Sequence, residues 1–122
     1  MADYESLRST RDLDRVFQSG RWSRSGPVSV GTSPRGDERA ARVCFVAGRA
    51  IGKSVRRNRA RRRMREALRI MPVKLRPGAD IVLLARPATA EAPFADLSSA
   101  IRRCLLALDL VEEASGARDD GR

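Results

Sequence analysis

Apolar positions along the chain recur in two periods. In "STRDLDRVFQSGR", residues 9–21, Leu13, Val16 and Phe17 fall at the spacing of one helix face. Ser9 or Thr10 stands where an N-cap belongs, and Gly20 closes the element. "GPVSVGTSP" then alternates Val28 and Val30 as in a half-buried strand. "RAARVCFVAG" is apolar on both faces from Val43 to Ala47, which predicts a central strand. "PRGDER" between these two runs has the residues of a hairpin turn.

The helical period returns in "GKSVRRNRARRRMREALRI", residues 52–70. At about 100° per residue, Ala60, Met64, Ala67, Leu68 and Met71 share one stripe. Pro72 and Pro77 limit its continuation. "ADIVLLARP" reads as a buried strand between Gly78 and Pro87. "APFADLSSAIRRCLLALDL" places Leu97, Ile101, Cys104, Leu105 and Leu108 on one helix face, with Pro93 suited to the first turn. The order is helix, two or three strands, helix, strand, helix, which predicts an α+β fold built as a two-layer α-β sandwich. Residues 7–111 form the single expected domain, between a flexible N-terminus (1–6) and a tail (112–122, "EEASGARDDGR") that lacks an apolar pattern.

Charge changes the picture. The chain has 25 basic and 15 acidic residues among 122, a net charge of +10. Such a surface attracts a phosphate backbone through counterion release. No apolar run reaches the roughly 18 residues of a membrane span and no secretory signal pattern opens the chain, so a soluble, cytoplasmic protein without a membrane partner is expected. Histidine is absent, which removes Ser-His and Cys-His nucleophilic sites and the commonest metal ligand. Cys44 and Cys104 lie inside apolar runs and read as reduced, buried thiols. No self-sufficient active site is evident, and no catalytic residue is assigned.

"AGRAIGKS", residues 47–54, stands between a strand and a helix, as a phosphate-binding loop does. Ala47 occupies the first glycine of that pattern, and the later strand ends in Ala85-Arg86 where a magnesium-holding acid belongs. The chain is also shorter than the roughly 150 residues of a nucleotide hydrolase core. The alternative is that Gly52 makes a turn and Ser54 caps the helix.

Eight arginines lie between Arg56 and Arg69, and the helical period sorts them. Arg57, Asn58, Arg61, Arg62 and Arg65 share a face beside the apolar stripe; Arg56, Arg59, Arg63 and Glu66 lie on another, which reads as solvated charge. Guanidinium forks match phosphate oxygens bidentately, and Asn58 can read a base edge or a 2′-hydroxyl. Arg49 and Lys53 extend the positive strip into the preceding loop. A DNA-reading helix pair is disfavoured, since a strand and not a helix precedes the arginine helix. The rival is a ribosomal-type protein that binds structured RNA without any role in cleavage.

"IGKSVRRNRARRRMREALR" resembles the signature of the bacterial ribonuclease P protein subunit family, in Arg57-Asn58-Arg59, Arg61-Arg62 and Arg65-Glu66. "LRSTRDLDRVFQSGR" is similar to that family's N-terminal helix, and "GADIVLLARPATAEAPFADLSSAIRRCL" to its last strand and C-terminal helix. The resemblance spans roughly residues 7–108. It implies a small α-β sandwich of a type also seen in a ribosomal protein domain, with about four strands, three helices and a left-handed crossover through the basic helix. It also implies a protein that assists a catalytic RNA in removing the 5′ leader of precursor tRNA. It would form a 1:1 complex with that RNA, and Mg²⁺ would be held mainly by the RNA.

On this resemblance Arg49, Lys53, Arg57, Asn58, Arg61, Arg62 and Arg65 contact RNA, and Leu13, Phe17 and Val30 line a leader cleft. Leu13 and Val30 stand where aromatic residues are usual in the family, and Gly48-Arg49-Ala50 where Ser-Lys-Lys is common.

Overall fold

The computed structural model describes residues 3–113. In chain order these are β1 (Glu5–Ser6), α1 (Thr10–Ser19), β2 (Arg21–Ser25), β3 (Val28–Pro34), β4 (Arg42–Val46), α2 (Ser54–Ile70), β5 (Val73–Leu75), β6 (Ala79–Ala85), α3 (Phe94–Ala107) and β7 (Val111–Glu113). Single 3₁₀ turns at Arg49–Ile51 and Pro87–Ala90 precede α2 and α3. Five strands form one mixed sheet in the order β1-β4-β6-β3-β2, and β5 pairs with β7 apart from it. The expected α+β class and three helices are present, with more strands than the period alone revealed.

β6 occupies the centre because it is apolar on both sides. Ile81 and Leu83 join Val28, Val30 and Val43 against Met64 and Leu68 of α2 and Leu97, Ile101 and Leu105 of α3. Val82 meets Leu7 and Val16 on the other face, where Leu13, Trp22, Cys44, Val46 and Leu84 are only partly buried. Two helices and the sheet thus make the two layers, and α1 gives the second face partial cover. That partial cover leaves a floor open.

Three local readings are corrected. β3 and β4 are not a hairpin: β6 lies between them, antiparallel to β3 and parallel to β4. The hairpin of the fold is β2–β3, closed at Gly26-Pro27, and β2 escaped notice because "RWSRS" carries a single apolar side chain, as an edge strand can. β4 is not central, since β1 pairs with it at only two positions, and Cys44, Phe45 and Val46 stay half-exposed. The domain limits shift too. Glu5 and Ser6 pair with β4 and Glu112 pairs in β7, while residues 1–2 and 114–122 of the expected termini lie outside the described residues.

The loop after β3 is tied down by charge. Asp80, 1% exposed on β6, accepts from Arg35 (Nη1, 3.1 Å) and from Arg42 (Nε, 2.7 Å; Nη2, 2.8 Å). Arg42 also donates to Asp12 at 3.0 Å, which attaches α1 to the sheet. At the N-terminus of that helix Ser9 caps with a bond from the Asp12 amide (3.3 Å), and at its C-terminus the Gly20 amide donates to the Val16 carbonyl.

The stripe Ala60, Met64, Ala67, Leu68 and Met71 is buried as its spacing requires. The outer arginines behave differently from expectation. Arg56 donates to the Pro87 carbonyl (2.8 Å) and to the Glu91 carboxylate. Arg59 donates to the Ala90 carbonyl (2.8 Å), and Arg63 to the carbonyls of Thr89 (2.6 Å) and Ala92. Burial, reinforced by repulsion from Arg59, holds the Arg63 guanidinium below its usual pKa. These three are a clasp from α2 to residues 87–92, not solvated charge, because carbonyls turned out of the 3₁₀ turn need donors. Glu66 remains at the surface, paired with Arg69 at 2.6 Å.

Two measurements check this packing. Arg63→Ala strips the Thr89 and Ala92 carbonyls of donors and should cost about 1–3 kcal/mol in urea unfolding, whereas Arg62→Ala should stay within about 0.5 kcal/mol. Gly31 lies beneath Trp22, and an alanine Cβ there would sit 2.4 Å from the indole. Gly31→Ala should therefore push out the chain's single tryptophan and red-shift its fluorescence; unchanged emission would contradict the packing.

Candidate nucleic-acid interface

The loop into α2 decides the meaning of Gly-Lys-Ser. Amides of Ile51 and Gly52 donate to the Gly48 and Arg49 carbonyls (3.1 and 3.0 Å), so they are consumed in the 3₁₀ turn and do not converge on a phosphate. Gly52 turns the chain at φ 127°, a region that favours glycine. Lys53 holds the N-cap position without a side-chain bond, and Ser54 is the first residue of α2. The expectation that Ser54 caps the helix is corrected: its hydroxyl accepts from Arg57 Nη2 at 3.1 Å.

Residues predicted to contact RNA come together on one flank of α2 and its leading loop. Arg49 and Lys53 are exposed at the helix start. Arg57 follows, half-buried, with its Nε buried and unbonded. Arg61 donates to Asn58 Oδ1 and, at 3.4 Å, to the Ala47 carbonyl, which ties the flank to the end of β4. That bond uses the acceptor of Asn58 and leaves its amide donor outward. Arg62 is exposed and makes no hydrogen bond or ion pair among the described residues. Arg65 lies 5.2 Å above the Phe45 ring, a cation–π contact that steadies a long side chain.

From Arg57 to Arg65 is about 12 Å along the helix axis, and the stripe beneath prevents the row from rotating. Carboxylates near α2 are held elsewhere: Arg56 lowers the Glu91 pKa and Arg69 that of Glu66, each chiefly by hydrogen bonding.

The second surface lies on the face that α1 covers in part. Phe17 is 44% exposed, and its ring stands 5.3 Å from that of Trp22 at 36°. Trp22 is fixed by Gly31 below and by its Nε1 donating to the Val16 carbonyl (3.2 Å). Half-buried Leu13, Cys44, Val46 and Leu84 continue the floor. Burial pushes the Cys44 thiol above its usual pKa, and Cys104 likewise, so Cys44 is apolar lining, Cys104 is part of the core under α3, and neither is a reactive thiolate.

Contrary to expectation, Val30 does not belong to this surface. It is 0% exposed and packs with α2 and α3, because β3 turns residues 29, 31 and 33 to the α1 side. Trp22 is the aromatic that residue spacing did not reveal; its only signal is a lone tryptophan in a polar alternation after Gly20. Arg24, two residues on and exposed, points to the same face.

The structure thus carries an aromatic shelf at the β2 edge, an apolar floor that runs from it to the end of β4, and a row of guanidinium groups on the α2 flank. Such a combination suits single-stranded nucleic acid on the shelf and a phosphate backbone along the row. Comparison with known proteins gives the family. Residues 1–109 match the family profile described as Ribonuclease P. The chain is 41% identical over 100 residues to the ribonuclease P protein component of Chloroflexus aggregans, covering 81% of this chain and 73% of that one. It is 34% identical over 115 residues to that of a Roseiflexus species, covering 93% of each.

Among solved structures, the RNase P protein from Thermotoga maritima superposes with a TM-score of 0.65 at 26% identity, covering 81% and 93% of the two chains. The Staphylococcus aureus RNase P protein shares the fold with a TM-score of 0.72 at 16% identity, covering 88% and 98%. The chain belongs to the ribonuclease P family as a protein component, the RNA-binding subunit of the endonuclease that matures tRNA 5′ ends.

Proposed function

We propose that the chain serves ribonuclease P through two surfaces: the α2 flank docks the catalytic RNA, and the α1-side floor holds the 5′ leader of precursor tRNA. The observation that carries this reading is the division of arginines on α2. One set is consumed by residues 87–92, while Arg57, Arg61, Arg62 and Arg65 are held outward by packing. Arg49 and Lys53 add charge at the loop, and Asn58 presents its amide to a base edge or 2′-hydroxyl. Phe17 and Trp22 offer ring faces to unpaired bases, Leu13, Val46 and Leu84 a dry floor, and Arg24 a phosphate contact at the strand edge.

Phosphodiester hydrolysis belongs on this reading to the RNA, with Mg²⁺ supplying the Lewis acid and the activated water. The protein's own side chains do not fit the ion: among the described residues no three His, Cys, Asp or Glu side chains gather as ligands. What the protein contributes is placement. It neutralises backbone charge, lowers the ionic strength the RNA needs to fold around its substrate, and distinguishes precursor from mature tRNA by the leader that only the precursor carries. One protein per RNA suffices, since both surfaces lie on one chain. Among the described residues no helix is long and apolar enough to cross a membrane, and the cytoplasm, where precursor tRNA is made in bacteria, is the compartment this role requires.

Replacing Arg61, Arg62 and Arg65 with alanine should weaken assembly with the catalytic RNA. The slope of log affinity against log salt should fall by about one for each phosphate no longer engaged. Assembly and slope equal to wild type would remove α2 from the interface. In the reconstituted complex, Phe17→Ala should lower precursor affinity by about tenfold and leave mature tRNA unaffected. Equal losses for both substrates would place Phe17 outside the leader path.

A further inference from the structure

Beyond Arg65 the α2 flank overlooks a cavity of about 390 Å³ at the β1–β4 edge of the sheet, where residues from both faces line it. Val43, Leu7 and Cys44 form its apolar wall, and Tyr4, Ser6 and Arg8 its outer rim. The alternation of β1 and its flanks turns Tyr4, Ser6 and Arg8 to one side, so an aromatic ring, a hydroxyl and a guanidinium line up along the mouth. Phe45 is the floor. Tyr4 meets it edge-on at 6.1 Å and 63°, which leaves faces of Tyr4 unstacked, and the Arg65 guanidinium covers the Phe45 ring.

The lining contains two arginines and no carboxylate. By contrast, the basic cavity around Arg35 and Arg42 also holds Glu5, Asp12 and Asp37, which neutralise it. Arg8 is exposed and makes no hydrogen bond or ion pair among the described residues. Nor does the Tyr4 hydroxyl make one, although Tyr4 is half-buried.

We propose that this cavity is a nucleotide pocket, in which one unpaired nucleotide of the catalytic RNA stacks its base among Tyr4, Phe45 and Arg65 while Arg8 grips the adjoining phosphate. The proposal rests on the reading of α2 as the RNA-docking helix. A base is the occupant whose chemistry the walls fit. Aromatic and guanidinium planes stack on it, Ser6 and the Tyr4 hydroxyl can bond its edge, and a net positive lining receives its phosphate. The volume lies within the range of pockets for ligands of drug size. The pocket would also explain why a short N-terminal strand is laid along β4: it completes a wall that α2 alone lacks. The RNA subunit is the source on this reading, because the pocket continues the α2 row at Arg65, whose guanidinium lines it over Phe45.

The test is assembly of the full-length protein with the catalytic RNA, measured for Tyr4→Leu, Tyr4→Phe and Arg8→Ala beside the Arg61, Arg62 and Arg65 triple-alanine variant. Tyr4→Leu should weaken assembly about tenfold with an unchanged salt slope, since stacking releases no counterions. Tyr4→Phe should retain most of the affinity. Arg8→Ala should weaken assembly and lower the slope by about one. If Tyr4→Leu proves poorly folded by circular dichroism, the exposed Arg8 decides the question through its slope.

Wild-type assembly by both Tyr4→Leu and Arg8→Ala, with the triple variant impaired, would refute the pocket and leave the docking helix intact. Normal assembly by all of them would refute the docking reading itself. Normal assembly combined with loss of precursor over mature preference would make the occupant a leader nucleotide and overturn the assignment to the RNA subunit.

Discussion

The arginine row of this protein depends on how α2 buries a narrow apolar stripe. Ala60, Met64, Ala67 and Leu68 are the buried positions of a 17-residue helix that otherwise carries charge, and they lock its rotation against α3 and β6. Eight arginines on a freely turning helix would be a diffuse cloud that repels itself. With the rotation locked, most of the guanidinium groups acquire a fixed environment, and exposed Arg62 is left unbonded among the described residues. Three find carbonyls in residues 87–92, one bonds the end of β4, and one lies over Phe45. Clasping costs the protein part of its positive surface, but it leaves the remaining arginines aimed along one direction.

A second constraint acts through Asp80. Its burial on the central strand beside Arg35 and Arg42 gathers the loop after β3, the start of β4 and, through Asp12, the first turns of α1. A buried carboxylate is expensive unless its partners hold it from several sides. Here the bonds from two arginines satisfy it. Because α1 is anchored at that end, it covers the Asp80 end of the sheet and leaves Val46 and Leu84 half-open at the other. The floor beside Phe17 and Trp22 is therefore a consequence of where a salt-bridge network sits.

The α2 flank is tied to the close of β4, where Arg61 reaches the Ala47 carbonyl. Gly52 and the 3₁₀ turn at Arg49–Ile51 bring the chain from strand to helix without forming an anion nest, which is why Gly-Lys-Ser has no nucleotide role here. On the proposed reading, an arginine row and an apolar floor on one small domain would let it engage a folded RNA and a flexible strand at once. On that reading chemistry need not be built into the protein, whose sequence has no histidine and whose described residues gather no group of three His, Cys, Asp or Glu.

Residue spacing alone determined the stripe of α2, the apolar face of α3 and the run of β6, because each is set by neighbours within a few positions. The arginine motif and the charge balance likewise marked an RNA partner without reference to any contact. Tertiary structure decided the rest. Val30 faces away from the expected cleft because a strand's facing depends on its register with neighbours, and β6 enters from about 50 positions further along the chain. Trp22 stayed hidden since an edge strand needs little apolar content. Periodicity set Arg56, Arg59 and Arg63 on a face of their own but read it as solvated charge, as their partners lie 26 to 35 residues away in sequence. Local periodicity assigns a side chain to a face; only the packed chain determines what that face meets.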